Sequence, residues 1–231
     1  MVFFVSWWLH LPLMSDDTLN PPDGEPVPAR LKGREIVVGV CGGIAAYKVA
    51  DVVSKLVQLG AGVTVCMTPE AQRFVAPLTF EALSGRKVRT SPFQLADPGD
   101  TQHIGLTERA DLMLVAPATS HSLAKIAHGL CDDIVSLLVA ASACPVVFAP
   151  AMNHRMWDHP VARENVAKLS SIGYRFIGPE SGWLACRNVG AGRLSEPQKI
   201  VDEVTRMLTA PGALPPAIGA ETSSLDGTER V

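Results

Sequence analysis

The stretch 35-EIVVGVCGG-43 sets the architecture that the rest of the chain follows. Its uninterrupted run of mostly β-branched residues is typical of a strand buried on both faces, as in parallel sheets. The two glycines at its end allow a tight turn. Apolar residues at helical spacing then run from Ile44 to Leu59 and predict a helix that stops at Gly60.

The same order of strand and helix repeats along the chain. Further strands are predicted at 63–67, 112–116, 145–149 and 174–177, and helices at 70–83 (open to a break at Pro77), 123–127, 133–141, 163–171 and 198–208. Strands that alternate with helices favour a parallel sheet covered by helices on both faces. The predicted fold class is α/β, with a single Rossmann- or flavodoxin-like domain over residues 35–209. A disordered or variable leader over 1–34 and a disordered tail over 210–231 are predicted to flank it.

The composition argues against some classes of partner. The 231 residues include 20 basic and 23 acidic side chains, with no basic stripe, so no nucleic-acid partner is expected. The apolar segment at 1–14 is too short to span a membrane. A hydrophobic fraction of 47% suggests apolar surface hidden in a homo-oligomer. Five cysteines without metal-ligand spacing or a secretion signal indicate a cytoplasmic protein without a metal site.

Glycines and small polar residues follow directly after the predicted strands. Gly42 and Gly43 follow the first strand, Thr68 the second, segment 117–122 the third and segment 150–153 the fourth. In open parallel sheets, ligands bind beyond the carboxyl ends of the strands. The sequence therefore predicts a ligand site at this edge of the sheet.

Each of these positions has two interpretations. The Gly-Gly turn either brings backbone N–H groups to a phosphate at the start of the next helix or is only a tight turn. Thr68 either contacts a phosphate or caps the helix that follows it. The hydroxyls of Thr119, Ser120 and Ser122 can cap a helix and can also donate to a phosphate or a polyol.

Three further side chains have the chemistry needed for catalysis. His103 has an imidazole, which can transfer protons near neutral pH, although a lone histidine near a helix start is more often structural than catalytic. The Asn153 amide can donate to a carboxylate, or it could simply belong to a turn. Cys186 lies in a polar, glycine-rich loop with Arg187 and Arg193, which can lower the pKa of a thiol, or it could be an unreactive surface cysteine.

Two motifs and the Gly-Gly turn resemble a known family. The segments 150-PAMNHRMW-157 and 182-GWLACRNVGAGRL-194 resemble those of the phosphopantothenoylcysteine decarboxylase family of flavoproteins, and the resemblance runs from about Glu35 to Leu208. It implies FMN as the cofactor and no metal. The residues that it implies for FMN binding are Gly42, Gly43, Ile44, Thr68, Thr119, Ser120, Ser122 and Met152.

The resemblance also implies roles for the catalytic side chains. His103 would manage the first proton transfer, Asn153 would hold the substrate carboxylate, and Cys186 would donate a proton to the intermediate. Ala185 and Arg193, together with Asn153, would bind the substrate. The implied assembly is a homo-oligomer, either a trimer or a dodecamer of trimers, with flavin at the subunit boundary.

The reaction implied by the resemblance is the decarboxylation of 4′-phospho-N-pantothenoylcysteine to 4′-phosphopantetheine in coenzyme A biosynthesis. The flavin would oxidise the cysteine moiety to a thioaldehyde, CO₂ would leave, and reduction would complete the product. The alternatives are a peptidyl-cysteine decarboxylase, a flavin prenyltransferase and a non-catalytic flavin-binding phosphatase regulator. Cys186 argues against the prenyltransferase, and the presence of all three catalytic residues argues against the regulator.

The chain departs from the family pattern at three positions. His121 stands where the family has an amide, Arg187 where it has a glycine, and Leu194 where it has a methionine. If the family's glycine needs a positive φ, Arg187 costs about 1 kcal/mol or more there. The geometry of the cysteine loop is therefore where this chain is expected to differ most.

Overall fold

A five-stranded parallel sheet in the order β2-β1-β3-β4-β5 forms the centre of the molecule. The computed structural model of the protein describes residues 29–92 and 102–210. The strands are β1 (Glu35–Val40), β2 (Gly62–Met67), β3 (Leu112–Ala118), β4 (Val146–Pro150) and β5 (Arg175–Phe176). The first crossover therefore places β2 on one side of β1, and the later ones add β3 to β5 on the other side.

Strand β1 is paired along both of its edges. Ile36 lies opposite Val63 of β2 and opposite Leu112 of β3, with all three strands running in the same direction. Five of the six residues of β1 are buried. A strand that is paired on both edges and covered on both faces must be apolar on both faces, which explains its uninterrupted hydrophobic sequence.

In the described ranges, eight α-helices connect and cover the strands. They are α1 (Ala46–Gln58), α2 (Pro77–Ser84), α3 (Gln102–Arg109), α4 (Ser120–Ala127), α5 (Ile134–Ala140), α6 (His154–Trp157), α7 (Pro160–Ser171) and α8 (Pro197–Thr209). In α1 the buried residues recur every three or four positions, as expected for a helix that turns one apolar face to a sheet.

Two hydrophobic cores lie on opposite faces of the sheet. Ile36, Val38 and Val40 of β1 point into the core that α1 and α8 cover. Val37 points into the core that α4, α5 and α7 cover. Because successive side chains of a strand point to opposite faces, this alternation is direct proof of a three-layer arrangement. The predicted parallel sheet with helices on both faces is confirmed.

Some predicted elements differ from the observed ones. The helix predicted over 70–83 is a 3₁₀ turn at Ala71–Arg73 followed by α2, which begins at Pro77. The strand predicted at 174–177 shortens to β5. The glycine-rich segment that carries Cys186 is a two-stranded antiparallel hairpin, formed by β6 (Glu180–Trp183) and β7 (Val189–Arg193).

The termini lie partly outside the described residues. The leader predicted over 1–34 is described only from Ala29 onward, and the tail predicted over 210–231 only at Ala210. Leu31 is fully buried in the core beside α1, and its N–H donates to the Leu59 carbonyl oxygen. Packed structure therefore begins before Glu35. Within 29–92 and 102–210, no helix combines the length and apolarity needed to cross a membrane.

We predict that Phe148→Ala lowers the free energy of unfolding by about 3–5 kcal/mol, because it empties a site at the centre of the second core. Phe148 is fully buried in β4, and its ring lies 5.3 Å from the Tyr174 ring and 5.4 Å from the Phe176 ring. Urea unfolding followed by circular dichroism measures the change. Ile172→Ala, at a half-exposed position after α7, is the control and should cost less than about 1 kcal/mol. Equal losses in the two variants would contradict the packing described for β4.

Candidate active site

A cavity of about 760 Å³ lies at the carboxyl edge of the sheet. The turns that follow β1, β2, β3 and β4 form its floor, and the β6–β7 hairpin forms one wall. The walls bring together residues that the sequence separates by up to about 150 positions. Among the predicted site residues, the cavity is lined by Gly42, Gly43, Ile44, Thr68, Thr119, Ser120, Ser122, Met152, Asn153, Ala185, Cys186 and Arg193.

The turn after β1 presents bare backbone to the cavity. A Cβ at Gly42 would overlap the side chain of Glu70, so only glycine fits at this position. Ala45, the N-cap residue of α1, provides no side-chain cap. Among the described residues, the N–H groups of Ile44 and Ala45 have no hydrogen-bond partner. Free N–H groups at the start of a long helix are suited to binding an anionic group such as a phosphate.

Hydroxyl groups line the adjacent part of the cavity. Thr119 is the N-cap of α4: its Oγ1 accepts from the Ser122 N–H at 3.2 Å and lies 3.0 Å from the Ser122 Oγ. Thr68 Oγ1 accepts from the Ala71 N–H at 3.3 Å. Thr119 therefore has the capping role that was one of its two interpretations, whereas Thr68 bonds the first N–H of a 3₁₀ turn whose N-cap residue is Glu70. Each hydroxyl retains hydrogen-bonding capacity for a ligand in the same cavity.

An ion network stabilises the wall formed by α4 and α5. The Lys125 ammonium lies 2.9 Å from an Asp132 oxygen and 3.0 Å from an Asp133 oxygen. Asp133 also caps α5 by accepting from the Val135 and Ser136 N–H groups. The hydrogen bond from Lys125 holds the pKa of Asp132 below its usual value. Lys125 and Asp133 both line the cavity.

Asn153 lies between the end of β4 and the start of α6, beside the hairpin. Its Oδ1 accepts from the Arg155 N–H at 2.8 Å and so caps α6, which leaves the Nδ2 donor without a partner among the described residues. The preceding residue, Met152, donates its N–H to the Gly192 carbonyl oxygen of β7 at 2.8 Å. Gly192 has a φ of +123°, and a Cβ there would overlap the Met152 carbonyl. This close backbone contact fixes the hairpin beside Asn153.

Cys186 lies in the turn that connects β6 to β7. The turn is closed by the Arg187 N–H, which donates to the Leu184 carbonyl oxygen at 2.9 Å, and by the Leu184 N–H, which donates to the Asn188 carbonyl oxygen at 2.9 Å. Arg187 has a φ of +63°, as expected if the family's glycine needs a positive φ at this position. The hairpin was not predicted because its strands are short and rich in glycine.

The five cysteines differ in their surroundings. Cys186 is exposed, lines the cavity and lies 3.9 Å from the Asn188 Nδ2. Cys41 and Cys66 are fully buried under the sheet edge, and burial raises the pKa of each thiol to about 12. Burial also raises the pKa of Cys144. Cys131 is exposed on the loop between α4 and α5. Of these thiols, only Cys186 faces the cavity.

Two histidines bear on the predictions. His103 lies in the first turn of α3, and its side chain lies outside the described part of the structure. His121 lies in the first turn of α4, is exposed and lines the cavity at the position where the family has an amide. No group of three His, Cys, Asp or Glu side chains within the described ranges is arranged to hold a metal ion.

The fold and the site define a class of protein. A parallel sheet in the order 2-1-3-4-5, with a glycine turn and free helix N–H groups at its carboxyl edge, defines a flavodoxin-like α/β fold whose edge is suited to an anionic ligand. The chain belongs to the Flavoprotein family, whose model matches residues 25–209.

Named relatives are similar over the same region. The chain is 41% identical over 177 residues to the probable phosphopantothenoylcysteine decarboxylase of Streptococcus mutans, covering 76% of this chain and 99% of the relative. It is 48% identical over 171 residues to the coenzyme A biosynthesis bifunctional protein CoaBC of Bacillus subtilis, covering 74% of this chain. The chain spans 42% of the length of that bifunctional relative.

Solved structures show the same fold. A mutant PPC decarboxylase complexed with pantothenoylaminoethenethiol superposes with a TM-score of 0.66 at 27% identity, covering 74% of this chain and 96% of that chain. The FMN-dependent cysteine decarboxylase SpaF superposes with a TM-score of 0.63 at 30% identity, covering 75% of this chain and 97% of that chain. The family resemblance and the fold class predicted from the sequence are both confirmed.

We predict that Arg187→Gly raises the free energy of unfolding by up to about 1 kcal/mol. The left-handed conformation costs a non-glycine residue about 1–2 kcal/mol, and the greater freedom of glycine in the unfolded chain offsets part of that gain. Urea unfolding measures the difference. Asn188→Gly is the matched control in the same turn, because Asn188 is not among the residues with positive φ, and it should give no gain. A destabilised Arg187→Gly variant would show that the guanidinium makes contacts that outweigh the backbone strain.

Proposed function

We propose that the chain is an FMN-dependent decarboxylase that converts 4′-phospho-N-pantothenoylcysteine to 4′-phosphopantetheine and CO₂, a step of coenzyme A biosynthesis. The observation that carries this proposal is the placement of three groups around one cavity. An exposed thiol at Cys186, a free amide donor at Asn153 and an anion-binding turn at Gly42 and Gly43 all line it. The names of the relatives support the same activity.

The chemistry of the cavity residues and the volume of the cavity both suit FMN. The free N–H groups of Ile44 and Ala45 would hold its phosphate at the start of α1. The hydroxyls of Thr68, Thr119 and Ser122 would donate to the phosphate and the ribityl chain, and Ser120 and Met152 would contact the flavin. A volume of about 760 Å³ is within the usual range for a cofactor site.

The proposed reaction removes a carboxylate and replaces it with a proton. When bound, FMN supplies a reversible two-electron oxidation, which provides a temporary sink for the electrons of the bond that breaks. Asn153 would hold the substrate carboxylate through its free Nδ2 donor until the C–C bond breaks and CO₂ leaves. Cys186 would then donate the proton that replaces the lost carboxylate, and the turn of the hairpin would shield the site from water.

His103 is assigned to the first proton transfer of this proposal. Its position in the first turn of α3 comes from the backbone, and its role rests on the family resemblance.

We also propose that the catalytic unit spans residues 35–209, with the segment from Ala29 packed against it. Ala185 and Arg193 of the hairpin are assigned to substrate binding.

We further propose that the protein works as a homo-oligomer in the cytoplasm, with a trimer as the basic unit. Apolar side chains at the rim of the cavity support this assembly, since Ile44 is 57% exposed, Tyr47 60% and Trp183 64%. Large apolar groups beside a ligand cavity are suited to contact with a second copy of the chain. In such an assembly, the neighbouring subunit would complete the wall of the cavity.

The first experiment tests the cofactor and the substrate together. The purified protein should be yellow, and it should release FMN on denaturation, as identified by chromatography and mass spectrometry. Incubation with 4′-phospho-N-pantothenoylcysteine should release CO₂ and form 4′-phosphopantetheine in equal amounts. A yellow protein that acts on a peptide with a C-terminal cysteine and not on this substrate would support the peptidyl-cysteine decarboxylase instead.

We predict that Cys186→Ser retains FMN and releases CO₂ but forms 4′-phosphopantetheine at least about 100-fold more slowly. A serine hydroxyl is a much weaker acid than a thiol, and a positioned general acid contributes about 10²- to 10⁴-fold. Product formation and CO₂ release are measured separately, by mass spectrometry and with a ¹⁴C-labelled carboxylate. Cys131→Ser, an exposed cysteine outside the cavity wall, is the control. Equal yields of both products from Cys186→Ser would remove the thiol from the reaction.

A further inference from the structure

Glu196 lies between two basic side chains of the cavity wall. It is the N-cap residue of α8, but its side chain makes no capping hydrogen bond. One carboxylate oxygen bonds the Arg193 guanidinium, and the other lies 3.6 Å from the Lys48 ammonium. The carboxylate therefore bridges a cation at the base of the hairpin to a cation in the first turn of α1.

Both cations face the cavity, and both are held in place. Lys48 and Arg193 are among the residues that line it, and the Lys48 side chain is only 21% exposed. The Arg193 side chain lies across Gly182 of the neighbouring strand, where a Cβ would come within 3.0 Å of the guanidinium. Two basic groups share a single carboxylate, so the cluster retains one unit of positive charge.

We infer that Lys48 and Arg193 form a binding site for a phosphate monoester, and we assign it to the 4′-phosphate of the substrate. A phosphate monoester carries a charge of about −1.5 to −2 at neutral pH and presents three acceptor oxygens. It would match two cations better than the single carboxylate of Glu196 does. Without substrate, the Glu196 carboxylate holds the two cations in place. The phosphate would displace this carboxylate from them when the substrate binds.

The position of the site favours the substrate over the cofactor as the source of the phosphate. The turn at Gly42 and Gly43 already offers free N–H groups for the FMN phosphate. Arg193, in contrast, ends the strand that leads back from the turn carrying Cys186. From Val189, where β7 begins after that turn, to Arg193, the four residue steps of the strand span about 13 Å. The eleven bonds between the cysteinyl α-carbon and the phosphorus of the substrate also extend to about 13 Å.

This inference rests on the proposed function, and its test compares two substrates in the FMN-loaded protein. The quantity measured is the ratio of kcat/KM for phosphorylated to unphosphorylated pantothenoylcysteine. Lys48→Met should lower this ratio about 10- to 100-fold, the loss expected for one charge-assisted hydrogen bond. Glu196→Gln should raise the ratio, because it removes the internal competitor of the phosphate. A purely structural ion pair would instead make the two variants change the ratio in the same direction, or not at all, and would overturn the inference.

The matched control is Lys55→Met. Lys55 lies on the same helix as Lys48 and pairs with Asp51 at 2.5 Å, but it does not line the cavity. Lys55→Met should leave the ratio of kcat/KM values unchanged. A decrease in this ratio equal to that of Lys48→Met would reveal a general effect of charge on α1 and would overturn the inference.

A binding measurement separates the two sources of phosphate without turnover. Isothermal titration calorimetry should show that Lys48→Met weakens the binding of 4′-phosphopantetheine much more than the binding of pantetheine. The dissociation constant of FMN should change less than about threefold. A weaker affinity for FMN with an unchanged preference for phosphopantetheine would assign Lys48 to the cofactor and overturn the inference. Failure of the wild-type protein to decarboxylate either substrate would instead count against the proposed function itself.

Discussion

The pairing of β1 on both edges is the constraint on which the rest of the structure depends. Because β2 and β3 bind its two sides and apolar cores cover its two faces, its carboxyl end is fixed in space. The turn at Gly42 and Gly43 and the first turn of α1 therefore lie at a defined place, and residues with unpaired N–H groups line the cavity there. The neighbouring strands end at the same edge, so their polar turns meet there.

A second contact adds a wall to the cavity at this edge. The Met152 N–H binds the Gly192 carbonyl, and the lack of a side chain at Gly192 lets the two backbones approach. This contact places the hairpin, and with it Cys186, over the ends of the parallel strands. The Cys186 thiol is thus positioned by a separate small sheet that is held in place by a backbone hydrogen bond from the segment after β4.

The sequence predicted the main sheet well because each of its strands has a strong local signal. The runs at 36–40 and 112–116 are buried on both faces, and the turns after them contain the predicted glycines and hydroxyls. The hairpin could not be predicted in the same way. Its strands lack apolar alternation, and its position depends on a contact between Met152 and Gly192, forty residues apart. The positions of Lys48 and Glu196 carry no local signal either, since their meeting depends on how α8 packs against α1.

The most direct test of how the cavity works is a crystal structure of the Cys186→Ser variant with FMN after exposure to 4′-phospho-N-pantothenoylcysteine. We expect density for the FMN phosphate at the N–H groups of Ile44 and Ala45. Density for a decarboxylated ligand should lie between the flavin ring and the turn of the β6–β7 hairpin. Flavin bound away from the carboxyl edge of the sheet, or a hairpin turn remote from the ligand, would contradict the site described here.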